Sequence, residues 1–567
     1  MTCTKFKLTT VAALVFAATN ANAALYKVVE VTPSITGASE IFGVAIQPAN
    51  VSGTESCFTT DTVGGIACDD FKLAGETRNA VDGIGYREEV PFAMDTPFQY
   101  IQERDDFETY CDRELGYSTC ESWADNRWAT WSKESDLSYV NAKAFVGEGG
   151  SSISSFNVSI TALDDSGAPL GIESNGNDIR YNAITTVPLT ASSESRAWKA
   201  ITASNNKVYN VGSVSVDQGI TDTSKPYKAF SSKAAIWDGT TIKEIDWIRG
   251  GNAREDEFFA QGSMRSIVES NSVFYGVGYN TADGNGNLQD MNASVFISKS
   301  LDLTDSNNTW TTKVISGAEV KSGSNDDDAR YSNSVASDIN NNLFTVGYSK
   351  RNGYVPENGS AGNKIFVVTD ASASTPTATY LSGGIFFNGS SGEAKAVNNY
   401  NEFVGQIDAE TTREVQGSER RHRGFIYPYD VSSSIDERRV DIFNGQAWWL
   451  DDLTNDGNAS GDNNKFRIID ASDINDAGVI SATAIKCTVG GTTQAYDTTA
   501  HNSYCGGAAS NAVEEVVAVK LIPIAGATKA DIQTRSTDTE KVDRQGGSLG
   551  WLTLTVLGLL GFRRKFK

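Results

Sequence analysis

The 567-residue chain sets 48 lysines and arginines against 71 aspartates and glutamates, a formal charge of −23. Its 39% hydrophobic and 10% aromatic content excludes wholesale disorder, and at this length a core can form without relying on disulfides. Six cations sit at the two ends (Lys5, Lys7, Arg563, Arg564, Lys565, Lys567), so the body carries −23 − 6 = −29, which repels phosphate backbones and excludes nucleic acid as a partner.

That acidity fits either solubility in salty surroundings or a set of weak cation sites. With 52 glycines and 11 prolines the composition suits many strands joined by tight turns. The chain opens with an export signal: Lys5 and Lys7 are its charged region, Leu8 to Ala18 an apolar run too short for a permanent anchor, and Ala21-Asn22-Ala23 an A-x-A cleavage site. Residues 1–23 are therefore expected to be a signal peptide and Ala24 the mature start, with signal peptidase and the export machinery as first partners. An uncleaved anchor is the alternative.

Tyr26 to Val31 and Ile41 to Gln47 alternate in strand fashion. From 57 to 131 the pattern changes to an expected insertion. Ile101 to Leu115 is rich in charge and helix formers, and Trp123, Trp128 and Trp131 follow at helical spacing, as a packing face or a sugar-stacking platform. Once Cys3 leaves with the signal, six cysteines remain: Cys57, Cys68, Cys111, Cys120, Cys487 and Cys505. They form three local couples, and local pairing is expected among the roughly 15 arrangements six cysteines allow. Each closed loop would contribute roughly 2–3 kcal/mol. Zinc is the alternative, but the spacing is wrong for it.

From Tyr139 onward one unit recurs. Its clearest copy is Ala336-Ser337-Asp338-Ile339-Asn340-Asn341-Asn342-Leu343-Phe344-Thr345-Val346-Gly347. The glycine ends Gly147, Gly212, Gly278, Gly347 and Gly405 lie 65, 66, 69 and 58 residues apart, and Ile480 lies 75 beyond the last. Phe42-Gly43-Val44 is an early echo. The Ile or Val before the asparagines reads as a buried strand residue, Asn tolerates the left-handed backbone of a tight hairpin, and Gly permits close backbone approach. A third apolar piece follows in Ala234 to Gly239, Ala293 to Phe296, Lys364 to Val368 and Gly424 to Tyr427. Three or four strands per unit predict an all-β, β-propeller-like array of degenerate repeats over residues 24–528, six to eight blades with seven favoured. An array of β-sandwiches is the alternative.

Chemistry is sparse. His422 is expected in a charged loop, Arg420-Arg421-His422-Arg423, and His501 lies between Cys487 and Cys505, with no Gly-x-Ser-x-Gly elbow, so no catalytic residue is assigned. Spacing cannot pick a carboxylate pair out of 71 acids. Asp283, Asn285, Asn287 and Asp290 place oxygen ligands at alternating loop positions and are the candidate calcium site, although Leu288 stands where glycine is expected. Asp456, Asn458 and Asp462 form a weaker set. A plain polar turn is the alternative for both, and no cofactor other than calcium is expected.

Residues 529–545 read as a polar stalk. After Gly546-Gly547, the apolar run Leu549 to Phe562 would span about 21 Å as a helix, short of the roughly 30 Å hydrocarbon core, and a basic cluster follows. Gly546 and Gly547, the short apolar helix and the basic end resemble the GlyGly-CTERM sorting tail. That resemblance implies cleavage by a rhomboid-type intramembrane protease, with transient inner-membrane anchoring before release or surface display. Asp473-Ile474-Asn475-Asp476-Ala477-Gly478-Val479 resembles the HAF repeat, as does Ala234 to Gly239, and Trp448 to Leu453 resembles its inter-repeat Asp-Leu segment. Asp305 to Trp310 half resembles the Asp box of sialidase propellers, a structural turn.

With its two-cysteine insertion and tail, the chain resembles the exported-protein family known as domain of unknown function 3466, which implies architecture and destination but no activity. The expectation is an exported, surface-displayed or secreted, non-enzymatic binding or structural module of the bacterial envelope, with a glycan or surface protein as ligand. The alternative is a carboxylate-dependent, glycosidase-like hydrolase of extracellular polymers.

Overall fold

The computed structural model describes residues 24–535, apart from 38–39, 52, 79–103, 113–118, 135–139, 141, 155–156, 175–181, 190–193, 219–229, 251–252, 256–257, 284–289, 320–333, 351–361, 410–420, 458–460 and 495–511. They build a seven-bladed propeller of antiparallel sheets. The innermost strands, one per blade in chain order, are Glu40–Ile46, Val158–Leu163, Glu194–Thr202, Gly262–Ser270, Val335–Ile339, Gly392–Val397 and Phe466–Ile474. Each packs against the next, and the last packs against the first, so the ring is closed. Blades one and two have three strands and blades three to six have four. In blade seven the outermost strand is Tyr26–Glu30, from the other end of the chain, paired with Ala512–Pro523 in the register Val28↔Leu521.

The core lies between blades. Seven apolar clusters fill the seven junctions. Between blades five and six, for example, Phe344, Val346 and Ile365 meet Ala394, Phe403 and Phe425, all essentially buried. A blade is apolar on both faces, so it is stable only between two others, which favours a complete ring.

All seven inner strands carry a β-bulge at the same place, at Val44, Thr161, Trp198, Arg265, Ser337, Lys395 and Ser472. The bulge explains the recurrent glycine. In six blades the residue paired just before it is Gly75, Gly171, Gly212, Gly278, Gly347 or Gly405. A Cβ at Gly212 would stand 1.8 Å from the Arg196 carbonyl oxygen, and one at Gly405 1.9 Å from that of Glu393. In blade seven a second bulge in the inner strand accommodates Ala482 instead.

The turn grammar differs in one detail from expectation. The left-handed residue of the opening copy is Leu343 (φ 60°), and no residue of Asn340-Asn341-Asn342 has positive φ; the same slot holds Asn401 and Gly478. Asn340 acts through its side chain. Its Oδ1 accepts the amides of Asn342 (3.0 Å) and Phe344 (3.1 Å), and its Nδ2 donates to the Asn398 carbonyl of the next blade (2.8 Å). Asn398 repeats this toward Asn475 (3.2 Å), and Asn475 toward Gln47 of blade one (3.0 Å). The motif is an inter-blade clasp.

Seven blades are present, but two copies sit elsewhere than expected. Phe42-Gly43-Val44 is the inner strand of blade one and Phe145-Val146-Gly147 the end of its third strand, so both belong to one blade. Blade two, with Asp164 in the asparagine slot and Gly167 in the left-handed one, has no recognised copy. The expected insertion 57–131 is two excursions flanking the propeller strand Leu73–Arg78. The first is closed by Cys57–Cys68 and the second by Cys111–Cys120, which ties the helices Arg104–Tyr110 and Cys120–Glu134. There Trp123 is buried edge-on against Phe107 (5.9 Å), as a packing face requires.

Cys487 is also disulfide-bonded; Cys505 lies outside the described residues. These bonds fit an extracellular or otherwise oxidising compartment. The segment expected as a stalk from 529 is packed on the propeller as far as Arg535, which is 7% exposed. No helix among the described residues is long and apolar enough to cross a membrane. The signal peptide and the tail with Gly546 and Gly547 lie outside the described residues.

Candidate functional site

The inner strands enclose an axial channel of about 540 Å³ to which all seven blades contribute. The bulge residues line it, because a bulge turns neighbouring side chains toward one side of the strand. Thr161, Trp198, Arg265, Ser337, Lys395 and Ser472 all face this space, as do Lys199, Asp338 and Asp473 one position on.

Two ion pairs organise the wall. Lys199 of blade three reaches past blade four to Asp338 of blade five (Nζ–Oδ1 3.0 Å). Burial lowers the Lys199 ammonium pKa, but Asp338, Asp473 and Asp476 outweigh it and leave the pKa raised, so the cation is secure at neutral pH. Lys395 of blade six lies 2.8 Å from Asp470 of blade seven and 3.8 Å from Glu393. Beside them Trp198 is held between two guanidinium groups, Arg265 at 3.6 Å and Arg196 at 4.2 Å from its ring centre.

The six carboxylates lining the channel are all engaged. Asp338 also accepts the amides of Ile339 (3.0 Å) and, across the junction, Val397 (2.9 Å). Asp473 does the same with Ile474 and Ile46 (both 2.9 Å). Asp476 binds the Asn399 amide (2.8 Å) and side chain (2.7 Å), and Glu269 the Ser204 amide (2.6 Å). Asp165 accepts Thr202 Oγ1 (3.3 Å), and Glu393 faces Lys395 and Gln406. What the arrangement does chemically is hold blades together while presenting amides, hydroxyls and carboxylate edges at one mouth, through Asn50, Thr202, Asn341 and Asn399.

The residues singled out from sequence fall away from this channel. Asp283 and Asp290 are register partners at the ends of two blade-four strands, while Asn285 and Asn287 lie outside the described residues. No group of three or more His, Cys, Asp or Glu among the described residues could hold a metal. Of the weaker set, Asp462 pairs with Lys465 (2.7 Å), Asp456 accepts Asn464 (3.2 Å), and Asn458 lies outside the described residues. Asp305 caps its own turn at Asn307 (2.8 Å), and Trp310 stacks on Phe274, so the Asp-box-like stretch is structural.

His422 is not in a loop. It begins the strand His422–Pro428 and faces Asp408 (3.2 Å); His501 lies outside the described residues. Sequence reasoning missed Trp198, Lys199, Arg265 and Lys395. A signal existed: aligning copies on the buried Ile or Val before the turn places Ser337, Lys395 and Ser472 in one column.

Residues 213–565 match the family described as Protein of unknown function (DUF3466), and the chain belongs to that family. No curated protein matches it. Among solved structures, sucrose-6-phosphate hydrolase from Lactobacillus gasseri is 9% identical, with 93% of this chain and 92% of that chain covered and a TM-score of 0.26. A putative glycoside hydrolase from Bacteroides ovatus is 8% identical over 58% and 87%, TM-score 0.22. The Bombyx mori GH32 beta-fructofuranosidase BmSUC1 is 10% identical over 64% and 83%, TM-score 0.21. Scores this low carry neither fold nor activity across.

Proposed function

We propose that this member of the DUF3466 family is a non-enzymatic binding or structural module of the bacterial envelope, exported and then displayed or secreted, with a glycan or surface protein as ligand. The observation that supports it best is the engagement of every channel carboxylate, by a lysine, by backbone amides or by polar side chains. A glycosidase needs one carboxylic acid with a raised pKa and a second carboxylate roughly 5–9.5 Å away, both free to meet substrate. Asp338 and Asp473 instead hold the adjacent blade. The route would be signal-peptidase cleavage at Ala24, transient anchoring by the tail, and release by a rhomboid-type protease at Gly546-Gly547.

Glycan-array binding by the purified mature chain without release of reducing sugar is the expected result. Sugar release that Asp338→Asn or Glu269→Gln abolishes would establish the hydrolase reading instead. The calcium proposal at Asp283, Asn285, Asn287 and Asp290 is supported by the register that brings Asp283 opposite Asp290 at the base of their loop.

A further inference from the structure

The chain that leaves blade three for blade four is braced from below by buried polar side chains. Asn280, on the second strand of blade four, accepts the Ile248 amide on Oδ1 (2.8 Å) and donates to the Asp246 carbonyl (3.3 Å). Trp247 donates its Nε1 proton to the Ser232 carbonyl (2.8 Å), and the Gly250 amide closes a turn on the Trp247 carbonyl (3.0 Å). Beneath them Ser232 donates to Gln261 Oε1 (2.6 Å), while Thr281 Oγ1 accepts the Gln261 amide (2.8 Å) and donates to the Gln261 carbonyl (3.0 Å). Ser232, Gln261, Asn280 and Thr281 are each exposed by 1% or less. Buried polar networks of this kind specify one conformation, and a loop supported in this way holds a binding surface in shape.

What the loop presents is a small amphipathic platform. Trp247 is half-buried and Ile248 is 40% exposed; among the described residues the other large hydrophobic side chains so exposed, Ile153 and Val513, lie after the third strand of blade one and in blade seven. Lys233 lies over the Trp247 ring (5.0 Å) and pairs with Asp246 (2.7 Å) and Glu244 (3.8 Å). A stable protein interface takes roughly 800 Å² from each partner around an apolar centre, far more than one tryptophan and one isoleucine offer. A single sugar ring is the right size. The rim cation already faces two carboxylates, so a neutral ligand with hydroxyls suits it better than an anion. We propose that Asp246–Gly250 is a sugar-binding subsite: the apolar face of a neutral pyranose residue packs on Trp247 and Ile248, while its hydroxyls donate to Asp246 and accept from Lys233. The proposal rests on the binding-module reading and selects glycan as the ligand class. The subsite is separate from the channel mouth at Thr202 and Glu269. Asn280 pairs with Gly262 at the start of the blade-four inner strand, and Glu269 lies near the other end of that strand, so the two sites are on opposite faces of the ring.

The test uses an array of neutral hexose and N-acetylhexosamine oligosaccharides printed beside uronic-acid and phosphorylated glycans. It is probed with the mature chain and with its Trp247→Ala, Ile248→Asp and Glu269→Gln variants, each checked by its Tm. The wild type is expected to bind neutral spots, and Trp247→Ala and Ile248→Asp to lower that signal at least about 10-fold. Ile248 is exposed, so Ile248→Asp should keep its Tm within about 1 °C and decides the matter alone if Trp247→Ala fails to fold. A neutral-spot signal that survives Ile248→Asp would overturn the proposal; if Glu269→Gln abolishes that signal instead, the ligand sits in the channel and the binding-module reading stands. Binding confined to anionic spots would overturn the proposal too. No signal on any spot from the folded wild type would overturn it and remove glycan from the binding-module reading as well.

Discussion

Replacing Asn340 with alanine tests whether the repeated asparagine is an inter-blade clasp. The side chain is 3% exposed and makes four hydrogen bonds: to the Asn398 carbonyl and Asn401 Oδ1 (both 2.8 Å), and from the Asn342 and Phe344 amides (3.0 and 3.1 Å). Truncation leaves the buried Phe344 amide with a side-chain acceptor missing and the Asn398 carbonyl without this donor. Each buried group so exposed costs about 1–3 kcal/mol, and two of them give about 3 kcal/mol in total. With an unfolding entropy of about 2.1 cal/mol/K per residue over roughly 500 residues, that lowers Tm by about 3 °C. Calorimetry of the mature chain reads it directly. Asn341→Ala, which removes an exposed side chain, is the control and should move Tm by less than about 0.5 °C. If Asn340→Ala behaves like the control, the clasp does not hold the ring. If it does hold, Asn340→Ala and Asn401→Ala should be non-additive, because the Asn340 side chain donates to Asn401 Oδ1 (2.8 Å) and either truncation removes that bond.

Gly405→Ala should be worse than either, by more than about 3 kcal/mol and with reduced soluble yield, since its Cβ would meet backbone, which cannot rotate away, at 1.9 Å. Lys199→Met should destabilise by about 1–3 kcal/mol by leaving the Asp338 carboxylate (5% exposed) without its cation, and adding Asp338→Asn should restore part of that in a double-mutant cycle. Burial raises the Asp452 carboxyl from 3.8 to about 6, against the stabilising Arg535 amide. The folded state therefore holds this proton more tightly, and its contribution falls as pH rises from about 4 to about 6. Asp452→Asn should match the parent near pH 4 and exceed it by about 1–3 kcal/mol at pH 7 in denaturant titrations. Calcium should raise Tm through the Asp283 loop, and an unchanged melt in chelator would retire that site.

The propeller was legible because its repeat is a physical unit: an apolar inner strand, a capped turn, and a glycine opposite a bulge. Copies with both asparagine and glycine, such as Asn340 with Gly347 and Asn398 with Gly405, were placed correctly. Blade two escaped because Asp164 and Gly167 satisfy the same turn with different residues, and blade one was read twice because the excursions closed by Cys57–Cys68 and Cys111–Cys120 separate its inner strand from its third strand. The total of seven came out right because two misplaced copies fell in one blade and another blade went unseen. The channel was not legible. Lys199 meets Asp338 across 139 residues, and no local pattern announces that encounter.

What varies between copies can now be located. Blades five, six and seven share the asparagine clasp, so their inner strands are committed to holding the ring, and Asp338 and Asp473 are part of that work. Blades three and four lack the clasp, and they bring Trp198, Lys199, Arg265 and Glu269 to the same channel. Glu269 and Thr202 belong to the mouth, while Trp198 and Arg265 are fixed by stacking rather than by the turn motif. On the binding-module reading proposed above, recognition is expected to concentrate on blades three and four, where the repeat's structural demands are weakest. Apart from Lys199, whose ion pair with Asp338 ties blade three to blade five, changes there should alter ligand binding with little effect on Tm, and changes in blades five to seven should do the reverse. A Glu269→Gln variant that loses stability as Asn340→Ala does, with unchanged glycan-array signal, would refute that division of labour.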